Sequence, residues 1–249
     1  MSADSSLGQQ GLEAHYAAWF ERIRHDFRAV SLNEIICKLT PRGHVLDIGC
    51  GSGAMSAELL ERGDDVVSQD ASDAMLDMCR AYLQQRHLST EGLRKGSALE
   101  VAEQGAFDAV VALDVIEHLD DDVAALGTFR RALKQTGTLV LSVPALSWMY
   151  GPKDEQVGHF RRYDKSRLLR VLDEAGFVID AIRYWNMLGV LFVAPSVISG
   201  KRLNENVRYS KSPMKRAINL ALRLWFQHVE NAFEGPIGLT LIVRAKKKN

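Results

Sequence analysis

The amino-acid sequence predicts an α/β fold in which a mostly parallel sheet is doubly wound, with helices on both faces. Three observations lead there. Strand-like and helix-like segments alternate through most of the chain, the pattern of parallel strands joined by crossover helices. The first strand-like run, His44 to Ile48, ends in a glycine-rich turn that leads into a helix. The 249 residues, 47% hydrophobic and 25% charged, suit one domain with a proper core and no need of disulfide or metal staples.

Taken in order, Tyr16, Phe20, Ile23, Phe27, Val30 and Ile35 follow helical spacing. Residues 11–39 therefore read as one or two amphipathic helices, within an N-terminal cap of residues 1–40 that Pro41-Arg42-Gly43 ends. Residues 41–185 are the core. Ala54 to Arg62 reads as a helix stopped by Gly63, Asp65 to Gln69 as a strand, and Ser72 as the N-cap of a helix running to about His87. Leu93 to Lys95 is a weak strand and Phe107 to Leu113 a strong one. Asp120-Asp121-Asp122 places negative charge where the next helix dipole favours it, and Gly137 is expected to end that helix. Thr138 to Val143 is a strand closed by Pro144, Asp164 caps a helix ending at Gly176, and Phe177 to Tyr184 is a strand. Residues 186–236 read as an insertion too long for a plain turn. It has an apolar start (Met187 to Ile198), a basic middle, and a long amphipathic helix opened by Ser212-Pro213. Residues 237–249 hold the last strand, Leu239 to Arg244, and a basic tail.

Thirty-one basic residues balance 31 acidic ones, which argues against a dedicated nucleic-acid binder. Cys37, Cys50 and Cys79 are scattered without paired spacing, as expected in a reducing cytosol. The first ten residues show no apolar signal segment, and no run approaches the ~18 apolar residues of a membrane span. A cytoplasmic location is expected. The 186–236 insertion fits a cover for a greasy substrate, a peripheral membrane contact, a homodimer interface or an ordinary core helix.

Ligands of such sheets bind at the carboxyl ends of the strands. There lies Val45-Leu46-Asp47-Ile48-Gly49-Cys50-Gly51-Ser52-Gly53, whose glycines let the backbone turn sharply and approach a ligand closely. Gly49, Gly51 and Ala54 also satisfy the loose dinucleotide pattern, a weak match by itself. Asp47 separates the readings: a carboxylate at the strand end repels a pyrophosphate and suits a ligand carrying an ammonium and a sulfonium. Asp70, after the second strand, is placed to accept both hydroxyls of a ribose.

Three ordered segments now resemble successive motifs of the class I S-adenosylmethionine (SAM) dependent methyltransferases: Val45 to Gly53, Asp70 to Leu76, and Phe107 to Leu119. The resemblance spans roughly Val45 to Phe177 and is closest to the branch of ubiquinone-biosynthesis O-methyltransferases and related small-molecule enzymes. It implies a Rossmann-like, seven-stranded sheet whose last strand is antiparallel, with SAM as cofactor and S-adenosylhomocysteine as product. By position, Asp47, Gly49, Cys50, Gly51 and Gly53 would hold the methionine part. Asp70 would hold the ribose, Ala71 and Met75 would line the adenine pocket, and Leu113 and Asp114 would meet the cofactor. Where the family often has an acid for the adenine amino group, this chain has Gly96-Ser97-Ala98, so Ser97 and Ala98 stand there instead. Tyr16 is placed to close over the cofactor as a lid.

The acceptor side falls to His118 and to the segment from Trp148 to Tyr163, dense in aromatic and ionisable groups at a strand end. His159 is the candidate general base, with His118 close to the cofactor as a second candidate. Tyr150, Arg161, Arg162 and Tyr163 are candidate substrate contacts, the arginines for a carboxylate or phosphate; alternatively Arg161 or Arg162 pairs with Asp154 or Glu155 to lock the loop. No metal is expected. The expected activity is methyl transfer to a small-molecule acceptor, anionic or lipid-like, at a hydroxyl before nitrogen or carbon. The competing readings are a SAM- or nucleoside-binding module without turnover and an NAD-dependent oxidoreductase.

Overall fold

The alternation becomes one seven-stranded sheet in the computed structural model, which describes residues 27–199 and 220–248. In chain order the elements are α1 (Phe27–Leu39), β1 (His44–Ile48), α2 (Ala54–Glu61), β2 (Asp65–Asp70), α3 (Asp73–Gln85), β3 (Leu93–Lys95) and β4 (Phe107–Leu113). Then come α4 (Asp122–Ala132), β5 (Leu133–Pro144), α5 (Pro152–Gln156), α6 (Lys165–Glu174), β6 (Phe177–Trp185), α7 (Met187–Ser199) and β7 (Thr240–Lys247). The strands lie in the order β3-β2-β1-β4-β5-β7-β6. β1 pairs in parallel with β2 and β4, while β7 runs antiparallel to both β5 and β6, as the resemblance implied.

Strand alternation builds the two faces. On β1, Leu46 and Ile48 join the cluster under α4 and α6, whereas Val45 joins the one under α1 and α2. On β4, Val110 and Ala112 point the first way and Ala109 and Val111 the second. Because residues i and i+2 share a face, a strand covered on both sides must be apolar at nearly every position, and β4 is. The sheet order reverses between β1 and β4, which makes their carboxyl ends the crevice where a ligand can enter.

Local signals act largely as expected. The Ser72 hydroxyl accepts the Met75 amide at 3.4 Å, and the Asp121 side chain accepts that of Ala124 at 2.8 Å. Two expectations differ. α4 ends at Ala132 rather than Gly137, because Leu133 already pairs with Phe107 and the register then jumps to Ala109 with Thr138. A bulge, not a helix, absorbs the extra residues of β5. Asp164 stands at the N-cap of α6 but turns its carboxylate to the Ser147 amide (3.1 Å) and hydroxyl instead of to the helix. The Tyr16 lid and the Ser212-Pro213 helix start lie outside the described residues. Of the insertion, α7 and a π-helical turn, Phe226–Glu230, are described.

Among the described residues no helix is long and apolar enough to cross a membrane. Phe129 of α4, fully buried against the sheet, tests the packing. Phe129→Ala should cost about 3–5 kcal/mol in urea unfolding; a loss below about 1 kcal/mol would mean that α4 is not clamped as described.

Candidate active site

The turn after β1 is built from left-handed glycines: Gly49, Gly51 and Gly53 have φ of 68°, 51° and 82°. A side chain has no room at two of them. A Cβ on Gly49 would lie 2.6 Å from Val115 Cγ2, and one on Gly53 would lie 2.5 Å from Cys79 Sγ. The loop is thus pressed between the segment after β4 and helix α3.

Carboxylates frame this turn. Asp70 at the end of β2 accepts the Gly51 amide at 2.9 Å through one oxygen and the Ser72 amide at 2.9 Å through the other. Asp47 is 2% exposed and accepts the Ser56 hydroxyl at 2.6 Å. Burial pushes its carboxyl up to about 7, and nearby Asp70 adds to the rise while the Ser56 hydroxyl opposes it. At the end of β4, Asp114 holds a strained φ of 52° and accepts the Ser142 hydroxyl at 3.0 Å. Three acids at neighbouring strand ends make a crevice hospitable to a cation and hostile to a pyrophosphate. This donor set fits the ammonium and sulfonium of SAM. Ser97 spends its hydroxyl on the Leu99 amide (3.2 Å), and its carbonyl accepts Gln69 Nε2 at 2.7 Å. Ala71 is exposed at the end of β2, Met75 half-buried on α3, and Ala98 packs against the core.

The residues expected on the acceptor side gather beyond β4 and β5. The His118 and His159 rings meet edge to face with centroids 4.6 Å apart. His159 Nδ1 lies 2.9 Å from Asp154 Oδ1, and Tyr150 donates its hydroxyl to the His159 carbonyl at 2.8 Å. Burial lowers the His118 imidazole, and the neighbouring His159 lowers it further. Glu117 is fully buried, and neither of its carboxyl oxygens has a hydrogen-bond partner among the described residues. Burial, then Asp114, raise its carboxyl well above the ordinary range. One ligand-capable atom from each of Glu117, His118 and His159 lies within 4.8 Å of the others.

The remaining candidates turn inward. Arg162 donates to Asp154 at 2.8 Å, the loop-locking alternative, while Arg161 pairs with Asp122 at 3.0 Å rather than with Asp154 or Glu155. Tyr163 is fully buried, its hydroxyl 2.8 Å from Asp122. Only Tyr150 of the four is exposed. Sequence reasoning passed over two groups here. Asp122 had been read only as a helix-dipole charge, and Glu117 had gone unremarked between Ile116 and His118, although a carboxylate beside a histidine after a strand end is a signal worth following.

Residues 46–141 match the family model described as "Methyltransferase domain". The ubiquinone biosynthesis O-methyltransferase of Cereibacter sphaeroides is 36% identical over 99 residues, 39% of this chain and 40% of that protein. That of Pseudomonas aeruginosa is 31% identical over 121 residues, 47% of this chain and 52% of that protein. The match therefore spans about half of these relatives or less. Among solved structures, a SAM-dependent methyltransferase of Thermotoga maritima superposes with a TM-score of 0.60 at 19% identity, covering 94% of this chain and 96% of that one. One from Archaeoglobus fulgidus gives 0.58 at 19%, covering 93% and 99%. The cyclase SpnF gives 0.57 at 20%, covering 87% and 80%, so the fold alone does not name the reaction.

Asp47 makes a test that needs no ligand. Its folded-state pKa lies above the unfolded one of 3.8, so the stability tied to its neutral form is present below about 4 and lost as pH rises to about 7. Asp47→Asn should therefore gain roughly 2–4 kcal/mol relative to the parent between about pH 5 and about pH 8 in urea unfolding; a constant difference would place the carboxylate in water. Sequence match, strand order and acidic glycine turn agree: residues 46–141 are similar to methyltransferase domains of the class whose cofactor is S-adenosylmethionine.

Proposed function

We propose that the protein transfers a methyl group from SAM to a hydroxyl oxygen of a small molecule, with His159 as general base. One observation carries this reading: the half-buried His159 imidazole meets a second imidazole, His118, just beyond the carboxyl end of β4 and within electrostatic reach of Asp114. The relatives' printed name, O-methyltransferase, supports oxygen as the atom methylated.

When bound, the cofactor supplies a methyl group on a sulfonium, a strong electrophile. The chain's part is to align, exclude water and move one proton. Asp47 and the Gly49–Gly53 turn, with Cys50, hold the amino-acid end. Asp70 holds the ribose through lone pairs left over from the Gly51 and Ser72 amides, Ala71 and Met75 flank the base, and Leu113 and Asp114 close the reacting end. His159 takes the acceptor's proton as the new bond forms. An unperturbed hydroxyl is a poor nucleophile near neutrality, and a base within reach is worth about 10²–10⁴ in rate. Exposed Tyr150 borders the acceptor; Arg161 and Arg162 act by locking the loop around it.

The test is methyl transfer from tritiated SAM to a panel of phenols, hydroxy acids, sugars and isoprenoid alcohols. His159→Ala should lower turnover about 10²–10⁴-fold and leave SAM affinity within about twofold. Equal loss of both, or loss of neither, would remove it as the base. Asp70→Ala should do the converse and weaken SAM about tenfold or more by calorimetry; unchanged binding would put the ribose elsewhere.

A further inference from the structure

Asp154 fixes more than the location of His159. Its carboxylate is 2% exposed and receives N–H donors from three directions. Gly151 N reaches Oδ2 at 3.1 Å, while His159 Nδ1 and Arg162 Nε reach Oδ1 at 2.9 and 2.8 Å. Burial alone would raise this carboxyl, but the His159 and Arg162 hydrogen bonds win and hold it below its ordinary value. An ionised carboxylate has no proton to give and can only accept. The ring nitrogen facing it must therefore carry the hydrogen, which leaves the lone pair of the neutral ring on Nε2.

The surroundings agree. His118 Nδ1 faces the Gly158 carbonyl at 3.3 Å, another pure acceptor, so its free lone pair is also on Nε2. Glu117, buried and without a side-chain hydrogen-bond partner among the described residues, is the third group of the cluster. Arg162 donates to the same carboxylate oxygen as His159 and reaches the Ala145 carbonyl at 3.4 Å, tying Asp154 to the end of β5.

We propose that Asp154 is a positioning residue for the transfer: it locks His159 as the Nδ1–H tautomer, making Nε2 the nitrogen that takes the acceptor's proton. The proposal rests on the reading of His159 as base. In the step, the acceptor's O–H bond breaks as the N–H bond forms at Nε2. The O–C bond forms as the C–S bond breaks with its pair left on sulfur, and the resulting imidazolium sits against the Asp154 carboxylate. That negative charge offsets the positive charge just as it appears.

The experiment is ¹⁵N NMR of the full chain labelled at histidine, with turnover on the hydroxyl panel beside it. In the parent protein His159 should show a pyrrole-type Nδ1 and a pyridine-type Nε2; the reverse assignment overturns the proposal without any variant being needed. Asp154→Asn, whose amide can turn either an oxygen or a nitrogen to the ring, should make the Nε2–H form detectable. It should also lower turnover about tenfold or more with SAM affinity within about twofold. Asp154→Glu should restore part of the turnover. Unchanged tautomer and turnover in Asp154→Asn would overturn the inference, as would a loss of turnover with the tautomer unmoved. Full turnover in His159→Ala would sink the base reading instead, and the parent spectrum keeps that failure apart from a failure of Asp154.

Discussion

The loop between β5 and α6 hangs on two buried carboxylates, and the proposed acceptor side of the crevice takes its shape from them. Asp154 gathers Gly151, His159 and Arg162, all from its own loop, into one knot. Asp122, at the start of α4, takes the Tyr163 hydroxyl and the Arg161 guanidinium across 41 and 39 residues of chain and so fastens the loop to the sheet's helical layer. Each carboxylate is nearly dry, which would be costly if it were unpaired; the donors converging on it make the burial tolerable and the geometry singular. A loop without those anchors would have little to hold an imidazole against the end of β4.

The proposed cofactor side is built by a different means. There the backbone itself is the instrument: glycines in left-handed conformations, wedged between Val115 and Cys79, with side-chain acids behind them. The acids are unequal. Asp70 is spent on two backbone amides that shape the turn, whereas Asp47 leans on Ser56 and burial raises its carboxyl to about 7. One carboxylate shapes the loop and the other tunes its charge.

Much of this was legible in the chain, and the reason is periodicity. β4 reads as a strand because both of its faces are covered, and α3 announces itself through Ser72 because a cap is a local event. The glycine turn is legible because only glycine tolerates those dihedrals without strain. What escaped is what depends on distance or on slack. Gly137 looked like a helix end, but whether β5 begins at Leu133 is decided by a bulge against β4, which no local pattern records. Arg161 and Arg162 are adjacent and chemically alike, yet they serve different carboxylates on different elements. The segment from Trp148 to Tyr163 was recognisable as crowded with chemistry; which of its groups face inward required the fold.

The position of β7 has a consequence for how the molecule comes together. It follows β6 in the chain, yet it lies between β5 and β6, and among the described residues β6 pairs with no other strand. As the polypeptide leaves the ribosome, β1 to β5 can zip in parallel while Phe177–Trp185 waits as a lone ribbon for some 55–70 further residues. Until β7 threads into the gap, one flank of the nascent sheet offers unsatisfied backbone to any passing strand. The protein is therefore most vulnerable to misassembly in the interval between the making of β6 and the docking of β7.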